Sequence, residues 1–385
     1  FQPRARRASW RTAACSDMVA ATSWWLIVAS CCVCWHFAVS DECTGRIKIK
    51  IGFGSCLHHD RQPWLVFDSI AATHDVTHFL FLGDLIYADW SSTTSSEDNI
   101  SALTNVERGA LLDRLYRSAF ADTPLTRFLA TTPTSFMWDD HEIEDNYEKG
   151  PLTSAYKISR EAYDRHVAWR NPPPRVLGEL YHTFTLPSAG VSVFMLDARS
   201  YRSPVKMADQ PANNKTMLGH IQLAELKAWL LEVPRDSFKI IASSVMWNDQ
   251  AVFAEYLDGW THYKQERNDI FAFIAQNSIP NVVLISADAH WSGAFHFNEH
   301  DIHEFSVSPL AAPAFSAPAL GTGYSDSVLL FNASDEEGLM GSMTVTPTNM
   351  TFQMMQMGHS RSQVELYSKS LPRRSLACSG TLVEV

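Results

Sequence analysis

Several common motifs are absent from this sequence, and each absence excludes a class of protein. It contains no glycine-rich loop of the nucleotide-hydrolase type and no Gly-x-Ser-x-Gly elbow, so neither a P-loop enzyme nor a serine hydrolase is indicated. Lysine and arginine total 31 against 42 acidic residues, and the net charge of -11 disfavours a nucleic-acid-binding surface. This charge does not exclude phosphate chemistry, because bound cations can reverse the local field at an acidic site.

Length and composition suit one large folded domain. No internal repeat occurs, and no linker is long enough to separate two domains. Hydrophobic residues make up 46% of the 385 residues, which is ample for a sizeable core and argues against disorder. After residue 40 no apolar run is long enough to span a membrane, and the C-terminus lacks the hydrophobic tail of a lipid-anchor signal. We predict one catalytic domain over residues 46–370.

The first 40 residues are typical of a secretory signal peptide. Arginines precede an apolar stretch over residues 24–39, and Ala38-Val39-Ser40 offers small residues for cleavage. The alternative is a signal anchor, although the stretch is short for a bilayer span. The first methionine is Met18, so residues 1–17 are either upstream translation or the edge of a fragment. We predict that residues 1–40 are removed by signal cleavage and that the protein is exported, so that it is secreted or lies in the lumen of the secretory pathway.

Cysteine usage and glycosylation sequons agree with export. Cys43 and Cys378 lie near the two ends of the mature chain and could pair in a disulfide that closes the domain. Cys56 is then left over, either as a buried thiol or as a functional group. Sequons of the Asn-x-Ser/Thr type predict a glycoprotein, and they lie at Asn99, Asn214, Asn332 and Asn349.

The apolar pattern changes along the chain. Residues 78–82 form a continuous apolar run, typical of a fully buried strand, whereas residues 47–53 alternate as in a half-buried strand. Helices are predicted over residues 63–74, 106–120, 156–169 and 221–233, and further strands over 181–186, 191–196, 238–247, 281–285, 294–297, 302–307, 343–346 and 351–355. Alternating helices and buried strands, followed by antiparallel strands, predict an α/β (α+β) fold of two packed sheets with helices outside.

Three acidic clusters are the most informative feature, because each follows a predicted strand. They are Gly83-Asp84-Leu85-Ile86-Tyr87-Ala88-Asp89, Trp138-Asp139-Asp140-His141-Glu142 and Ser286-Ala287-Asp288-Ala289-His290. Carboxylates, an imidazole and a phenol that strand ends deliver to loops are the donors that a site for two hard cations needs. One such cluster is weak evidence for a metal site, but three in one chain are hard to attribute to solvated loops.

Each candidate ligand has a structural alternative. Asp84 directly follows a glycine at a strand end and can approach a cation closely, and Tyr87 offers a hard phenolate of the kind that binds ferric iron. The alternative is an aspartate that caps the next turn and a tyrosine in the core. Asp288 and His290 are two residues apart, so on an extended segment both side chains would point the same way.

The second cluster also supplies candidates for proton transfer. We predict Asp140 as a metal ligand and His141 as a proton donor or oxyanion partner. A zinc-protease helix is excluded, since position 145 is aspartate and the second histidine is missing. Asn146 is predicted to donate its amide to a substrate oxygen. Arg199 offers a guanidinium to phosphate, with an internal ion pair as the alternative.

Taken in order, these motifs resemble those of the alkaline phosphatase D (PhoD-like) family of the metallophosphoesterase superfamily. The resemblance covers residues 47–309 and rests on the acidic clusters together with Gly54-Ser55-Cys56, Leu196-Asp197-Ala198-Arg199 and Tyr201-Arg202. It implies a four-layer sandwich of two mixed β-sheets flanked by helices, with metals at the strand ends. It also implies that Cys56, Asp84 and Tyr87 bind iron and that Asp140 binds a neighbouring cation. Asp288 and His290 would complete the ligand set of these two metals.

Members of that family are associated with iron together with calcium, and the resemblance implies the same kind of binuclear or multinuclear site here. Two positions depart from the superfamily pattern. Cys56 stands where relatives commonly carry Asp-x-His, and Asp288 replaces the first histidine of a His-x-His pair. An oxygen-rich ligand set suits calcium or magnesium better than zinc as the second metal.

The sequence therefore predicts a secreted, metal-dependent phosphoesterase that hydrolyses phosphate mono- or diesters by attack of a metal-bound hydroxide. His141 would protonate or steady the leaving oxygen, and Asn146 and Arg199 would orient the phosphate. No covalent intermediate is expected, because no activated serine, threonine or cysteine nucleophile is evident. The alternative is a glycosylated extracellular binding protein that kept the fold and lost catalysis, against which the full ligand set argues.

Overall fold

The structure, a computed structural model, describes most of the chain from residue 47 onward. The described residues are 47–73, 75–89, 100–249, 258–316, 326–333, 336–358, 363–376 and 382–384. The predicted signal peptide over residues 1–40, the pair Cys43 and Cys378, and the sequon at Asn99 lie outside these ranges and stay predictions.

Two mixed sheets form the centre of the fold. The first holds, in spatial order, β13 (Gln363–Pro372), β12 (Asn349–Met357), β11 (Leu339–Val345), β1 (Ile49–Gly54), β2 (His78–Leu82) and β3 (Thr134–Met137). The second holds β10 (Val328–Ala333), β8 (Ser292–Phe297), β9 (Ile302–Ser306), β7 (Val282–Ser286), β6 (Phe238–Ala242), β5 (Val191–Met195) and β4 (His182–Leu186). Strands β1 to β3 run parallel, as do β5, β6, β7 and β9, while antiparallel strands complete both sheets. A short ribbon pairs β14 (Arg374–Leu376) with β15 (Leu382–Glu384).

Helices cover the outer faces of the sheets. They are α1 (Val66–Thr73), α2 (Asn105–Ala121), α3 (Thr123–Thr131), α4 (Ser154–His166), α5 (Gly219–Glu232) and α6 (Lys264–Gln276). The first four pack on one another beside the first sheet, and α5 packs on α6 beside the second. This confirms the predicted two mixed sheets flanked by helices. Among the described residues, none of the helices combines the length and apolarity needed to cross a bilayer.

The core fills both the space between the sheets and the space beneath α5 and α6. Successive side chains of strand β5 face opposite sides of the sheet and fill both parts of the core. Val193 faces the core between the sheets, and Phe194 faces Trp229 of α5, with 5.5 Å between the ring centroids. Phe305 of β9 stacks on Phe352 of β12 with ring centroids 3.9 Å apart. This aromatic pair joins one sheet to the other and thereby fixes their relative position.

Some elements differ from the prediction. Helix α3 was not predicted: it follows α2 after a single residue, Asp122, whose carboxylate accepts the N–H of Leu125 at 3.0 Å and caps the helix. Strands β10 and β13 were also not predicted, and half of the residues in each of them are exposed. Strand β6 ends at Ala242, short of the predicted residue 247.

We expect Phe352→Ala to lower the free energy of unfolding by about 3–5 kcal/mol, because it empties the contact between the sheets. Denaturant unfolding of the purified protein measures this change. Val364→Ala is the matched control, since Val364 lies on β13 and is 55% exposed, and it should cost less than about 1 kcal/mol. Equal effects of the two substitutions would contradict the proposed role of the aromatic contact.

Candidate metal centre

The acidic clusters meet at one edge of the two sheets. Cys56 follows β1, Asp84 follows β2, Asp139 and Asp140 follow β3, and Asp288 follows β7. Because the carboxyl ends of parallel strands lie at the same edge, all these side chains are delivered to one region. Asp84 belongs to three groups of residues whose donor atoms lie within 4.8 Å of one another. It is grouped with Cys56 and His290, with Asp140 and His141, and with Asp139, Asp140 and Asp288.

Sharp backbone bends aim these side chains inward. Cys56, Asp84, Asp288 and His290 have left-handed backbone, with φ of 63°, 58°, 70° and 57°. Such conformations cost of order 1–3 kcal/mol at residues other than glycine, and they cluster at functional sites. The prediction of an extended segment from Asp288 to His290 is therefore wrong. The chain turns tightly there, since the Ala289 N–H donates to the Ala287 carbonyl at 2.9 Å.

Gly83 lets the loops after β2 and β3 approach each other. Its φ is 109°, and a Cβ at this position would lie 2.5 Å from the Cβ of Asp139. No side chain fits at that distance, so a glycine must precede Asp84. The glycine seen in the sequence thus sets the separation between the carboxylates of the two loops.

A thiol and a phenol lie against one oxygen of Asp84, and an imidazole lies against the phenol. The Tyr87 hydroxyl donates to Asp84 Oδ2 at 3.1 Å, and Cys56 Sγ lies 3.5 Å from the same oxygen. Tyr87 is also 2.9 Å from His290 Nε2. Burial raises the pKa of both Cys56 and Tyr87 well above the ordinary values, and the Asp84 charge adds to this. A cation at this point would have the opposite effect on both groups.

His290 is oriented as metal-ligating histidines usually are. Its Nδ1 lies 2.6 Å from the Pro313 carbonyl oxygen, and because a carbonyl only accepts, Nδ1 carries the proton. The lone pair of Nε2 therefore faces Tyr87 and Asp84. Burial lowers the pKa of His290 to about 4, so the ring is neutral at physiological pH. A neutral ring whose outer nitrogen is fixed by a carbonyl is ready to bind a metal.

Buried carboxylate oxygens without partners fit cations next to this group. Asp84 Oδ1 and Asp139 Oδ2 are buried and accept no hydrogen bond from the described residues. Burial raises the pKa of Asp84 and Asp288 well above the usual range. Burial also opposes ionisation of Asp140, but Arg199 and His141 outweigh it and lower the pKa to about 2. A buried carboxylate oxygen without a hydrogen-bond partner is costly, and a bound cation removes that cost.

Arg199 is the buried positive charge beside these carboxylates. It is fully buried, its Nε donates to Asp139, and its Nη1 donates to Asp258 at 2.7 Å. Its Nη2 also lies 3.5 Å from Asp140 Oδ1. These contacts fit the ion-pair alternative, and a role for Arg199 in orienting phosphate stays a prediction. Asp258 was not singled out from the sequence, because it stands alone in a segment without a motif.

His141 is held by a second carboxylate that sequence reasoning left without a role. Its Nδ1 lies 2.7 Å from Asp89 Oδ1, and its ring stacks on Tyr87 with centroids 4.2 Å apart. Burial lowers the pKa of His141, but Asp140, Asp89 and Asp84 outweigh this and raise it well above the ordinary value. The ring is thus positioned, and kept protonated, beside the candidate ligands.

Glu142 ties the loops together rather than binding at the centre. Its carboxylate accepts the N–H groups of Asp84 at 3.1 Å, Leu85 at 2.7 Å and Asp139 at 2.9 Å. The side chain is fully buried, and burial raises its pKa to about 7. It therefore fixes the loop after β2 against the loop after β3. Its place in the acidic cluster was visible in the sequence, but its partners were not.

Asn146 differs from the other candidates in being exposed. Its backbone N–H donates to Asp140 Oδ2 at 2.6 Å, and its side-chain amide donates to Asp145 at 2.7 Å. The residue is thus close to the centre through its backbone. The predicted contact of its side-chain amide with substrate stays a prediction.

Comparison with known proteins assigns this arrangement to a class and then to a family. Two mixed sheets flanked by helices, with candidate ligands at the strand ends, form a metallophosphoesterase-like fold. Residues 51–363 match the family described as PhoD-like phosphatase. The chain belongs to this family of phosphatases, which confirms the resemblance drawn from the motifs.

Individual relatives agree with the assignment. Alkaline phosphatase D of Bacillus subtilis (strain 168) is 27% identical over 317 residues, covering 72% of this chain and 51% of that protein. The chain thus spans about half the length of this curated relative. A solved structure of PhoD is similar with a TM-score of 0.63 at 20% identity, covering 85% of this chain and 69% of that one. The purple acid phosphatase PPD1 of yellow lupin (Lupinus luteus) seeds has a TM-score of 0.58 at 10% identity, covering 85% and 54%.

We expect Glu142→Gln to lower the free energy of unfolding by about 2–4 kcal/mol, because an amide cannot accept all three N–H groups. Metal binding should weaken as well, since the loop of Asp84 loses its fixed position. Denaturant unfolding and elemental analysis measure the two effects. Glu161→Gln, on the exposed side of α4, is the control and should change neither. Unchanged stability of Glu142→Gln would contradict the loop-fixing role.

Proposed function

We propose that this protein is a metal-dependent phosphoesterase that hydrolyses phosphate mono- or diesters. The observation that carries the proposal is that donors from four strand ends meet around Asp84, where Asp84 Oδ1 and Asp139 Oδ2 are buried and accept no hydrogen bond from the described residues. Membership of the PhoD-like phosphatase family supports the same reaction class.

The donor chemistry divides the centre into two parts. Cys56, Tyr87 and His290 with Asp84 would hold one cation, and the sulfur, phenol and imidazole donors suit iron. Asp140, Asp139 and Asp288, with Asp84 shared, would hold the other, and an all-carboxylate set suits calcium or magnesium. When bound, the cations supply an activated water nucleophile and neutralise charge on the phosphoryl group.

The protein's own groups supply positioning and a proton. His141, protonated and held by Asp89, would donate to the leaving oxygen of the ester. Arg199 would keep Asp139 and Asp140 in place against their mutual repulsion. Low solvent access around Asp84 and Asp140 strengthens each of these interactions.

Export and glycosylation belong to the same proposal. The signal-like pattern of residues 1–40 supports a secretory route. Asn214 and Asn332 are exposed, as acceptors of glycans must be, and Asn349 is half-buried. A shift of the secreted protein on gels after glycosidase treatment tests this part by itself.

We expect Asp84→Asn to abolish hydrolysis and metal content together, because this carboxylate is shared by both parts of the centre. Activity on p-nitrophenyl phosphate and its bis-ester should fall at least ~100-fold, which is more than mutation of a residue that only supports a metal ligand usually causes. Elemental analysis gives the metal content. Asp164→Asn, at an exposed position of α4, is the control and should retain both the activity and the metal content.

Two outcomes would argue against the proposal. If Asp84→Asn kept full metal loading and activity, the ligand assignment would fail. If the wild-type protein were loaded with metal and hydrolysed neither ester, a binding protein on the same fold would be favoured instead.

We expect Asp89→Asn to reduce kcat more than KM and to shift the pH profile. A proton donor must be protonated, so activity falls as pH rises through the pKa of His141. Removing the Asp89 charge lowers that pKa, so the alkaline fall in kcat/KM should move to lower pH by about 1 unit or more. An unshifted profile beside the Asp164→Asn control would contradict the role of His141 as acid.

A further inference from the structure

A second cluster of metal-binding side chains lies on the β8–β9 hairpin. His296 of β8 and His303 of β9 are directly paired across the two strands. Their rings are 4.2 Å apart between centroids, with 30° between the ring planes. Paired residues on antiparallel strands share one face, so both imidazoles face the same point. The pair of histidines therefore presents two nitrogen donors to a metal with little rearrangement.

Asp301 supplies an oxygen to the same point. It has left-handed backbone with φ of 52°, which turns it back toward the strands, and its Oδ1 lies 3.0 Å from His296 Nε2. One donor atom from each of His296, Asp301 and His303 lies within 4.8 Å of the others. Donors on one metal are closer together than this, and rotation of partly exposed side chains can close the difference.

The surroundings favour a fixed but partly open site. Arg374 of β14 holds Asp301 Oδ2 at 2.6 Å, which orients the carboxylate and leaves Oδ1 toward the histidines. Lys369 is a further positive neighbour of His303, so affinity is expected to be moderate. His300 in the same turn faces away, since its ring lies 5.3 Å from that of Phe271.

This cluster is separate from the candidate metal centre. Strand β8 begins at Ser292, close to His290, and runs away from the centre toward His296. The part of β8 between Ser292 and His296 spans about 13 Å at the rise of an extended strand. No residue is shared between the two groups.

We propose that His296, Asp301 and His303 form a second metal site, selective for a transition metal such as Zn²⁺, Cu²⁺ or Ni²⁺. Imidazole donors prefer these ions, whereas calcium and magnesium prefer sets made of oxygen alone. Three protein ligands leave a position open to water. The site would anchor the hairpin turn beside β14, and it does not depend on the function proposed above.

Calorimetric titration of the purified full chain with Zn²⁺ tests the proposal. We expect the wild-type protein to bind one equivalent more than the double variant His296→Asn/His303→Asn. The same difference should persist in the Asp84→Asn background, in which the other centre is impaired. His300→Asn is the matched control, and it should keep the extra equivalent. Equal stoichiometry of the wild-type protein and the double variant would overturn the proposal.

Two further readouts separate loss of a ligand from loss of structure. Hydrolysis of p-nitrophenyl phosphate by the double variant should equal that of the wild-type protein, because the hairpin turn lies away from the centre. Asp301→Asn keeps both imidazoles and should weaken Zn²⁺ binding at the extra site at least ~10-fold. Unchanged affinity in that variant would also overturn the assignment, because the carboxylate would then form only its ion pair with Arg374.

Discussion

Repulsion between buried carboxylates is the constraint on which this structure depends. Asp84, Asp139, Asp140 and Asp288 have oxygens within 4.8 Å of one another. Two like charges 4 Å apart repel by about 4 kcal/mol at an effective dielectric constant of 20, so the group is unstable by itself. Arg199 Nη2 lies 3.5 Å from Asp140 Oδ1, and His141 offers a nitrogen within 4.8 Å of oxygens of Asp84 and Asp140, so these two positive side chains face four carboxylates. Bound cations would offset the remaining repulsion.

The fold holds these charges together with rigid supports. The two sheets are joined by the stacked pair Phe305 and Phe352, which fixes one set of strand ends against the other. Gly83 permits the close approach of two loops, and Glu142 binds their backbone N–H groups. The strained backbone at the candidate ligands is maintained by this packing, so stability elsewhere offsets the cost at the centre.

The sequence predicts the strands and the candidate donor residues better than their arrangement in space. The buried strand over residues 78–82 and the hairpin near residues 181–196 were found because apolar periodicity is local. The edge strand β13 was missed because half-exposed strands carry little apolar signal. The extended geometry predicted for Asp288 and His290 was wrong, since periodicity carries no information on left-handed backbone. Asp258 was missed because its partner Arg199 lies far away in the chain.

The sequence by itself determined the family, the order of the motifs and the donor types, because these depend on residue identity and short spacing. Tertiary structure alone decided which donors share a point and which residues support them. It paired Asp89 with His141, enclosed Arg199 among carboxylates and set His296 opposite His303. The first two contacts join residues that lie far apart in the chain, and the third depends on the register of the β8–β9 hairpin. Residue identity and short spacing fix neither.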